Sequence, residues 1–370
     1  MKKRVAFIIR DLNYGGAQRQ LITLLKGMDK QSFDVTLLYF YSGGPLLKDL
    51  KDSGCRIICL KKQERWDVLG FFWHLFQHLK TIHPDVLHGY LGESNLVTMF
   101  LKPFFPSTRI IWGIRESNTT PDLYGWLGRI LSLLESSLSA FTDLIVVNSH
   151  AGKDYYLSPG YAPDKMVVIS NGIDTERFQP DSEAGAKVRA EWGVSENTIL
   201  SGLVARLDPM KDHPTFLKAA ALLSQEKQDV RFVCVGVGDE TYAKVLYQLT
   251  NHLGISEQVI WAGGRSDMPK VYNALNIASS SSSYGEGFAN VIGEAMACGV
   301  PCVVTDVGDS AWIVGNTGIV VPPKNSEALV AGRKASLAND RIKIEVKMRS
   351  RIVENFSVVL LIENTSKILS

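Results

Sequence analysis

The stretch YGEGFANVIGEAMACGVP, residues 284–301, carries two glutamates eight positions apart, Glu286 and Glu294. Glu286 sits between Gly285 and Gly287. Glu294 falls in a segment whose spacing predicts a helix from about Phe288 to Cys298, with Gly299 as its stop signal and Pro301 opening the next strand. At about 100° per residue, Phe288, Val291, Ile292, Ala295 and Met296 form one apolar stripe, and Glu294 points away from it beside Asn290, Gly293 and Ala297. A lone glutamate on a helix is ordinarily a solvated one. Here the small neighbours allow close approach, and a ligand with several hydroxyls, such as ribose and a sugar ring, can use both carboxylates as acceptors. Its phosphates can sit on the amides at the helix start, at Gly287 and Phe288.

Phosphates call for cations. The segment LVARLDPMKDHP, residues 203–214, supplies Arg206 and Lys211 directly after a predicted strand, a planar fork and a mobile point charge that can reach one diphosphate from a loop. Such a pair means little alone; its place after a strand, in the same domain as the glutamates, gives it weight. In DLNYGGAQRQL, Gly15 and Gly16 follow the first strand and precede a helix, so their amides can approach a phosphate. The bland alternative there is a plain strand-to-helix turn, since neither G-x-G-x-x-G nor the Lys-Ser/Thr of a P-loop is present.

The elements that must position these residues are legible as alternation. Runs rich in β-branched residues alternate with helical patterns up to about Val321, the signature of parallel sheets flanked by helices. Strands are predicted at 4–10, 34–40, 56–60, 85–89, 109–113, 143–148 and 166–170, and a second series at 198–206, 230–236, 258–263, 277–281, 301–306 and 317–322. Between them lies a polar, turn-rich segment without a strand. The resulting division is a first doubly wound α/β domain over 1–175, a linker over 176–195 and a second over 196–354, followed by a last segment at about 355–370. Ligands of such α/β domains bind outside the carboxyl ends of the strands, so the active site is expected in a cleft between the two.

The bulk composition agrees with 370 residues split between two cores: 45% hydrophobic, 21% charged, with a net charge of +2. Residues 1–170 hold 20 Lys and Arg against 15 Asp and Glu, a mild basic excess that would suit an anionic surface or substrate. The five cysteines, Cys55, Cys59, Cys234, Cys298 and Cys302, have neither disulfide-framework nor zinc-site spacing and read as small buried residues of a reducing compartment. The N-terminal apolar run VAFII, ahead of Arg10 and Asp11, predicts a strand and not a signal peptide. No run of 18 uncharged apolar residues suggests a transmembrane helix.

Taken together, EGFANVIGE, RLDPMKD, GGRSDMP, EAMACGVPCVVTDVG and the N-terminal GGAQRQL resemble the retaining GT-B glycosyltransferases of family 4 (GT4), most strongly over residues 198–322. The resemblance implies two tandem Rossmann-like domains, an N-terminal acceptor domain over 1–175 and a nucleotide-sugar domain over 196–354, with a C-terminal helix at about 355–370 that packs back on the first domain. It implies Arg206 and Lys211 on the donor diphosphate, Glu294 on the ribose hydroxyls, Glu286 on the donor sugar beside the reacting carbon, the Gly16 amide on the distal phosphate, and the backbone around Arg265 on the base. It also implies same-face attack, with the leaving phosphate taking the acceptor's proton. No D-x-D pair occurs in the chain, so the cations are expected to do what a metal does elsewhere, and transfer is expected to be metal-independent with no cofactor.

Many relatives carry a histidine pair at the end of the fourth strand; here the segment reads VLHGYLGES, with His88 present and Tyr90 in the second position. His88 is a candidate for the acceptor cleft, a satisfied strand-end histidine being the alternative, and Arg115 and Glu116 in GIRES are candidates for the acceptor side. Residues 61–84 and 100–113 combine Lys and Arg with aromatics, which would suit peripheral contact with anionic lipid and a polyprenyl-linked acceptor; core packing is the plainer reading.

The function expected is that of a cytoplasmic retaining glycosyltransferase passing a sugar, from UDP-sugar by preference, to a glycan or lipid-linked oligosaccharide in surface polysaccharide synthesis, with no nucleic-acid partner. A sugar-nucleotide epimerase of the same fold and a non-catalytic nucleotide- or glycan-binding protein are the alternatives. A nicotinamide-dependent dehydrogenase, suggested by VGVGDE, is disfavoured because neither first strand-to-helix turn carries the full fingerprint.

Overall fold

The computed structural model describes residues 1–370 except 65, 116–124, 159 and 339–340, and leaves aside the side chains of 125–127 and 341–342. The chain divides into two units, Met1–Gly172 with Val358–Ser370, and Ile173–Ser357.

The first unit is built on seven parallel strands: β1 (Lys3–Ile9), β2 (Phe33–Tyr39), β3 (Arg56–Cys59), β4 (Val86–Tyr90), β5 (Arg109–Ile114), β6 (Leu144–Val147) and β7 (Met166–Val168). Their order is β3-β2-β1-β4-β5-β6-β7, with Val5 opposite both Val35 and Val86. The strands are covered on both faces, which is why they read as unbroken apolar runs. Val5, Phe7 and Ile9 enter one core beneath α1 (Gly16–Gly27), whereas Ala6 and Ile8 enter another beneath α2 (Val68–Ile82). The remaining helices of this part are α3 (Gly92–Leu101), α4 (Gly125–Ser139) and α5 (His150–Leu157).

The second unit begins with α6 (Ser182–Glu191), a helix inside the segment expected to be a linker. Its N-cap Asp181 accepts from Ala184 N at 2.9 Å. Gly185 lies so close to the main chain of Asn273 that a Cβ there would come within 2.2 Å of the Asn273 carbonyl oxygen. Six parallel strands follow, β8 (Ile199–Val204), β9 (Val230–Val235), β10 (Val259–Gly263), β11 (Ile277–Ser280), β12 (Cys302–Thr305) and β13 (Ile319–Val321), in the order β10-β9-β8-β11-β12-β13. The helices are α7 (His213–Glu226), α8 (Glu240–His252), α9 (Met268–Ala274), α10 (Asn290–Ala297), α11 (Ser310–Val314), α12 (Ser326–Ala338) and α13 (Arg341–Phe356). The last helix, α14 (Val358–Leu369), belongs to the first unit, where Ile362 fills the space over Gly27 of α1.

Both sheets are doubly wound. Strand order reverses between β1 and β4 in the first and between β8 and β11 in the second, the points at which such sheets open to ligands at their carboxyl ends.

Candidate active site

Arg206, Lys211 and Glu286 lie in the loops at the switch point of the second unit, whereas Arg265 follows the edge strand β10. Lys211 closes a short 3-10 turn, Pro209–Lys211, beyond β8, and Glu286 lies in the loop beyond β11. The two loops are stitched together: Ser283 N donates to Met210 O at 2.9 Å, and Ser281 Oγ donates to Lys211 O at 2.8 Å. Thr305 Oγ1, at the end of β12, donates to Ser282 O at 2.7 Å. Within this frame Lys211 Nζ donates to Glu286 Oε1, which also accepts from Ser282 Oγ at 2.6 Å. Glu286 is 8% exposed, so its charge is held by a cation and a hydroxyl rather than by water. Gly308, at φ +61°, presses against it: a Cβ there would meet the Glu286 carbonyl oxygen at 2.4 Å.

Arg206 is set differently. Its Nη2 lies 3.3 Å from Asp208 Oδ2 and its side chain is 71% exposed, so the guanidinium stays available to a ligand. Asp208 Oδ1 also accepts from Met210 N at 2.9 Å, which fixes the turn between the two cations.

Glu294, on α10, accepts from the Tyr272 hydroxyl of α9 at 2.8 Å. Burial first, and then the Glu294 charge, raise the Tyr272 phenol well above its ordinary value, so it stays a donor. Helix α10 starts two residues later than the sequence spacing suggests. Gly287 O is tied up by Asp309 N at 3.0 Å and the Phe288 ring packs 5.4 Å from Phe356, so the chain bends at 287–288 and enters the helix through Ala289, its extended N-cap. The helix ends at Gly299, φ +75°, with Val300 N donating to Ala295 O at 3.0 Å. Gly293, read from sequence as part of a face open to a ligand, is buried: a Cβ there would meet Ile173 at 2.8 Å. The absence of a side chain serves the chain's own packing at that position.

The Arg265 side chain is committed to two carboxylates, donating through Nε and Nη2 to Asp267 at 2.9 Å each and through Nη1 and Nη2 to Glu191. Those bonds raise its already high pKa further, so what the 263–267 turn offers a ligand is backbone. The glycines of VGVGDE are packing residues: Gly236 and Gly238 lie where a Cβ would strike the carbonyl oxygens of Ala205 and Leu207 at 1.9 and 2.1 Å, joining the loops after β8 and β9.

In the first unit Gly15 is the extended N-cap of α1, φ −167°, and Gly16 is the first helical residue, at the sheet's switch point after β1. His88 is not at the strand end but is the middle residue of β4, fully buried, with its ring 5.1 Å from Phe7 and 5.4 Å from Tyr90. Burial, helped by the nearby Arg115 charge, pushes it down to about 3, so it is neutral at physiological pH. Arg115 directly follows β5, whereas Glu116 lies outside the described residues. Residues 109–113 belong to β5, where Ile110, Ile111 and Trp112 are 0% exposed, so they offer nothing to a membrane; interior strands of a doubly wound sheet are covered on both faces. Phe100 and Phe104 of the same stretch are more than half exposed. Sequence reasoning passed over Tyr272 and Asp309, whose partners Glu294 and Gly287 lie in other elements and leave no local signal, and also Ser282 and Asp208, which bond within their own loops.

Two family models match the chain, one described as Glycosyltransferase Family 4 over residues 14–177 and one as Glycosyl transferases group 1 over residues 186–357. The chain belongs to the GT4-type glycosyltransferases, with the GT-B fold. Among curated relatives, it is 26% identical over 362 residues, 94% of each chain, to the Campylobacter jejuni N-acetylgalactosamine-N,N'-diacetylbacillosaminyl-diphospho-undecaprenol 4-alpha-N-acetylgalactosaminyltransferase. It is 23% identical over 366 residues, 93% of this chain and 90% of the relative, to the Escherichia coli UDP-Gal:alpha-D-GlcNAc-diphosphoundecaprenol alpha-1,3-galactosyltransferase. Among solved structures, Anabaena HepE in complex with UDP superposes with a TM-score of 0.86 at 21% identity, covering 100% of this chain and 99% of that one.

Proposed function

We propose that the protein transfers a hexose unit from a UDP-sugar, with retention, to a lipid-linked diphosphate sugar in polysaccharide assembly. The observation that carries this is the part-buried Lys211–Glu286 pair, held by Ser282 at the switch point of the second sheet, with the exposed Arg206 in the same loop as Lys211. The names of the C. jejuni and E. coli relatives support the acceptor class, and the second supports the UDP-sugar donor.

In the transfer, the bond from sugar C1 to the diphosphate oxygen breaks and a bond from C1 to the acceptor oxygen forms on the same face, while the acceptor's proton passes to the departing phosphate. Negative charge grows on the diphosphate and cationic character on the sugar. Arg206 and Lys211 stabilise the first as it develops, and their fixed positions make that stabilisation electrostatic preorganisation. Lys211 has three N–H donors, of which one serves Glu286. Glu286 orients the sugar hydroxyls beside the reacting carbon, and Glu294, steadied by Tyr272, accepts from the ribose hydroxyls. In this reading Arg206 and Lys211 do the work that a metal ion does in other transferases, and transfer runs on these cations.

Contact with the membrane that carries such an acceptor falls to α2 and the segment after α3. Phe71, Leu75 and Leu79 bury one face of α2, leaving Leu69 and Trp73 88% and 62% exposed, and the exposed Phe100 and Phe104 lie against Phe72 and Phe76 of the same helix. No described helix is long and apolar enough to cross a membrane.

The test is incubation of the chain in EDTA with UDP-galactose, UDP-glucose and their N-acetylamino counterparts and a polyprenyl-diphosphate-linked sugar. UDP release that depends on the acceptor, with an α-linked product, supports the reading. Donor turnover without acceptor contradicts it in favour of an epimerase.

A further inference from the structure

At the carboxyl ends of β4, β5 and β6 the first unit buries polar side chains that satisfy one another only in part. Arg115 is 8% exposed. Its Nη1 lies 3.5 Å from Asn171 Oδ1, at the limit of a hydrogen bond, while Nε and Nη2 have no partner among the described residues. No carboxylate among them pairs with it. The Tyr90 ring lies beneath the guanidinium, 4.5 Å from Cζ to centroid, and recovers only part of what desolvation removes. The Tyr90 hydroxyl lies close enough to Arg115 for that charge to act on it, though the two make no well-formed hydrogen bond; both His88 nitrogens and Asn148 Oδ1 are buried without partners, while Asn148 Nδ2 donates to the Arg115 carbonyl at 3.3 Å.

A buried cation is ordinarily matched by a negative charge. His88 is neutral and contributes none. Nε and Nη2 form one edge of the guanidinium, the edge that meets two oxygens of a phosphoryl group side-on. The position is also where such a sheet receives ligands, beside the reversal between β1 and β4. Leu91, immediately after Tyr90, is held at φ 72°, ψ 159°, a conformation that glycine normally takes.

We propose that Arg115 binds a phosphoryl group through its Nε–Nη2 edge, with the Tyr90 hydroxyl as a further donor, as an anion site of the first unit separate from Arg206 and Lys211. This rests on the transfer reading above, in which the group is the diphosphate of the lipid-linked acceptor. Both nitrogens are shielded from solvent, so binding turns the guanidinium away from the Tyr90 face. In the free protein the cation is a burden, and its removal does not lower thermal stability.

The test is calorimetric titration of the full chain saturated with UDP, using farnesyl diphosphate, inorganic pyrophosphate and farnesol as probes, for the unaltered protein, Arg115→Gln and Arg115→Lys. Farnesyl diphosphate binding at least tenfold weaker in Arg115→Gln and partly kept in Arg115→Lys, with UDP affinity within twofold and melting temperature not lowered, supports the site. Pyrophosphate binding as tightly, with the same loss in Arg115→Gln, supports it as a site for the free ion. Equal binding by all three proteins, or a parallel loss of UDP affinity, overturns it. If UDP fails to bind at all, the transfer reading falls, while pyrophosphate titration in a Lys211→Ala background still tests Arg115.

Discussion

Lys211 and Glu286 stand 75 positions apart in sequence, yet Lys211 Nζ donates to Glu286 Oε1 with side chains only 17% and 9% exposed. Removing either partner leaves a buried charge unmatched. Breaking a fully buried pair costs about 3–5 kcal/mol, and the residual exposure of Lys211 brings the expected cost of Lys211→Met or Glu286→Gln to about 1–3 kcal/mol. The double variant should recover at least about 1 kcal/mol of the summed loss in urea unfolding. Costs that simply add, within about 0.5 kcal/mol, would show that the pair is not a unit.

Tyr272 acts on the site through Glu294. Tyr272→Phe deletes one hydrogen bond to a charged acceptor and is expected to lower stability by about 1.5 kcal/mol. Because the carboxylate is then less firmly placed, UDP binding should weaken roughly fivefold, about 1 kcal/mol. Unaltered UDP affinity in a folded Tyr272→Phe protein would remove Glu294 from the nucleotide site or Tyr272 from its support.

Two buried histidines give the fold a pH dependence of known sign. Burial pushes His88 down to about 3 and His213 down to about 4, from an ordinary value of 6.5. Below pH 6.5 the unfolded chain takes up protons that the folded chain refuses, so stability is fully present above 6.5 and is lost as pH falls toward 4 and then 3. Each histidine contributes up to about 1.4 kcal/mol per pH unit in that window. Urea midpoints measured from pH 7 to 4.5 should fall less steeply for His88→Phe than for the unaltered protein, and an unchanged slope would contradict a neutral buried His88.

The exposed face of α2 should bind lipid. Leu69→Ser with Trp73→Ser touches side chains already in solvent, so stability is expected to change by no more than about 0.5 kcal/mol. Co-sedimentation with vesicles containing phosphatidylglycerol should drop severalfold. Equal sedimentation of both proteins would assign those side chains no membrane role.

What could be read from sequence follows from where each signal resides. The thirteen strands of the described residues are legible, the interior ones because strands inside a doubly wound sheet are apolar on both faces, as in VAFII and VRFVCV. Helix α6 escapes a search for apolar periodicity because only Gly185 and Val188 are buried on it, and its signal is the cap at Asp181. The spacing of Glu286 and Glu294 is local and visible. Their partners, Lys211 and Tyr272, are brought to them by strand order, which no local pattern encodes. Gly293 misleads for the same reason: smallness is visible, and the Ile173 side chain that uses it is not.

The most direct test of the donor site is calorimetric binding of UDP, GDP and NAD to the chain in EDTA, repeated with Lys211→Ala and Glu294→Ala. The expected result is binding of UDP in preference to the others, weakened by roughly 1.5–3 kcal/mol in each variant, as for lost hydrogen bonds to charged groups. Binding of NAD, or UDP binding that neither substitution disturbs, would contradict a nucleotide-sugar site built on Lys211 and Glu294.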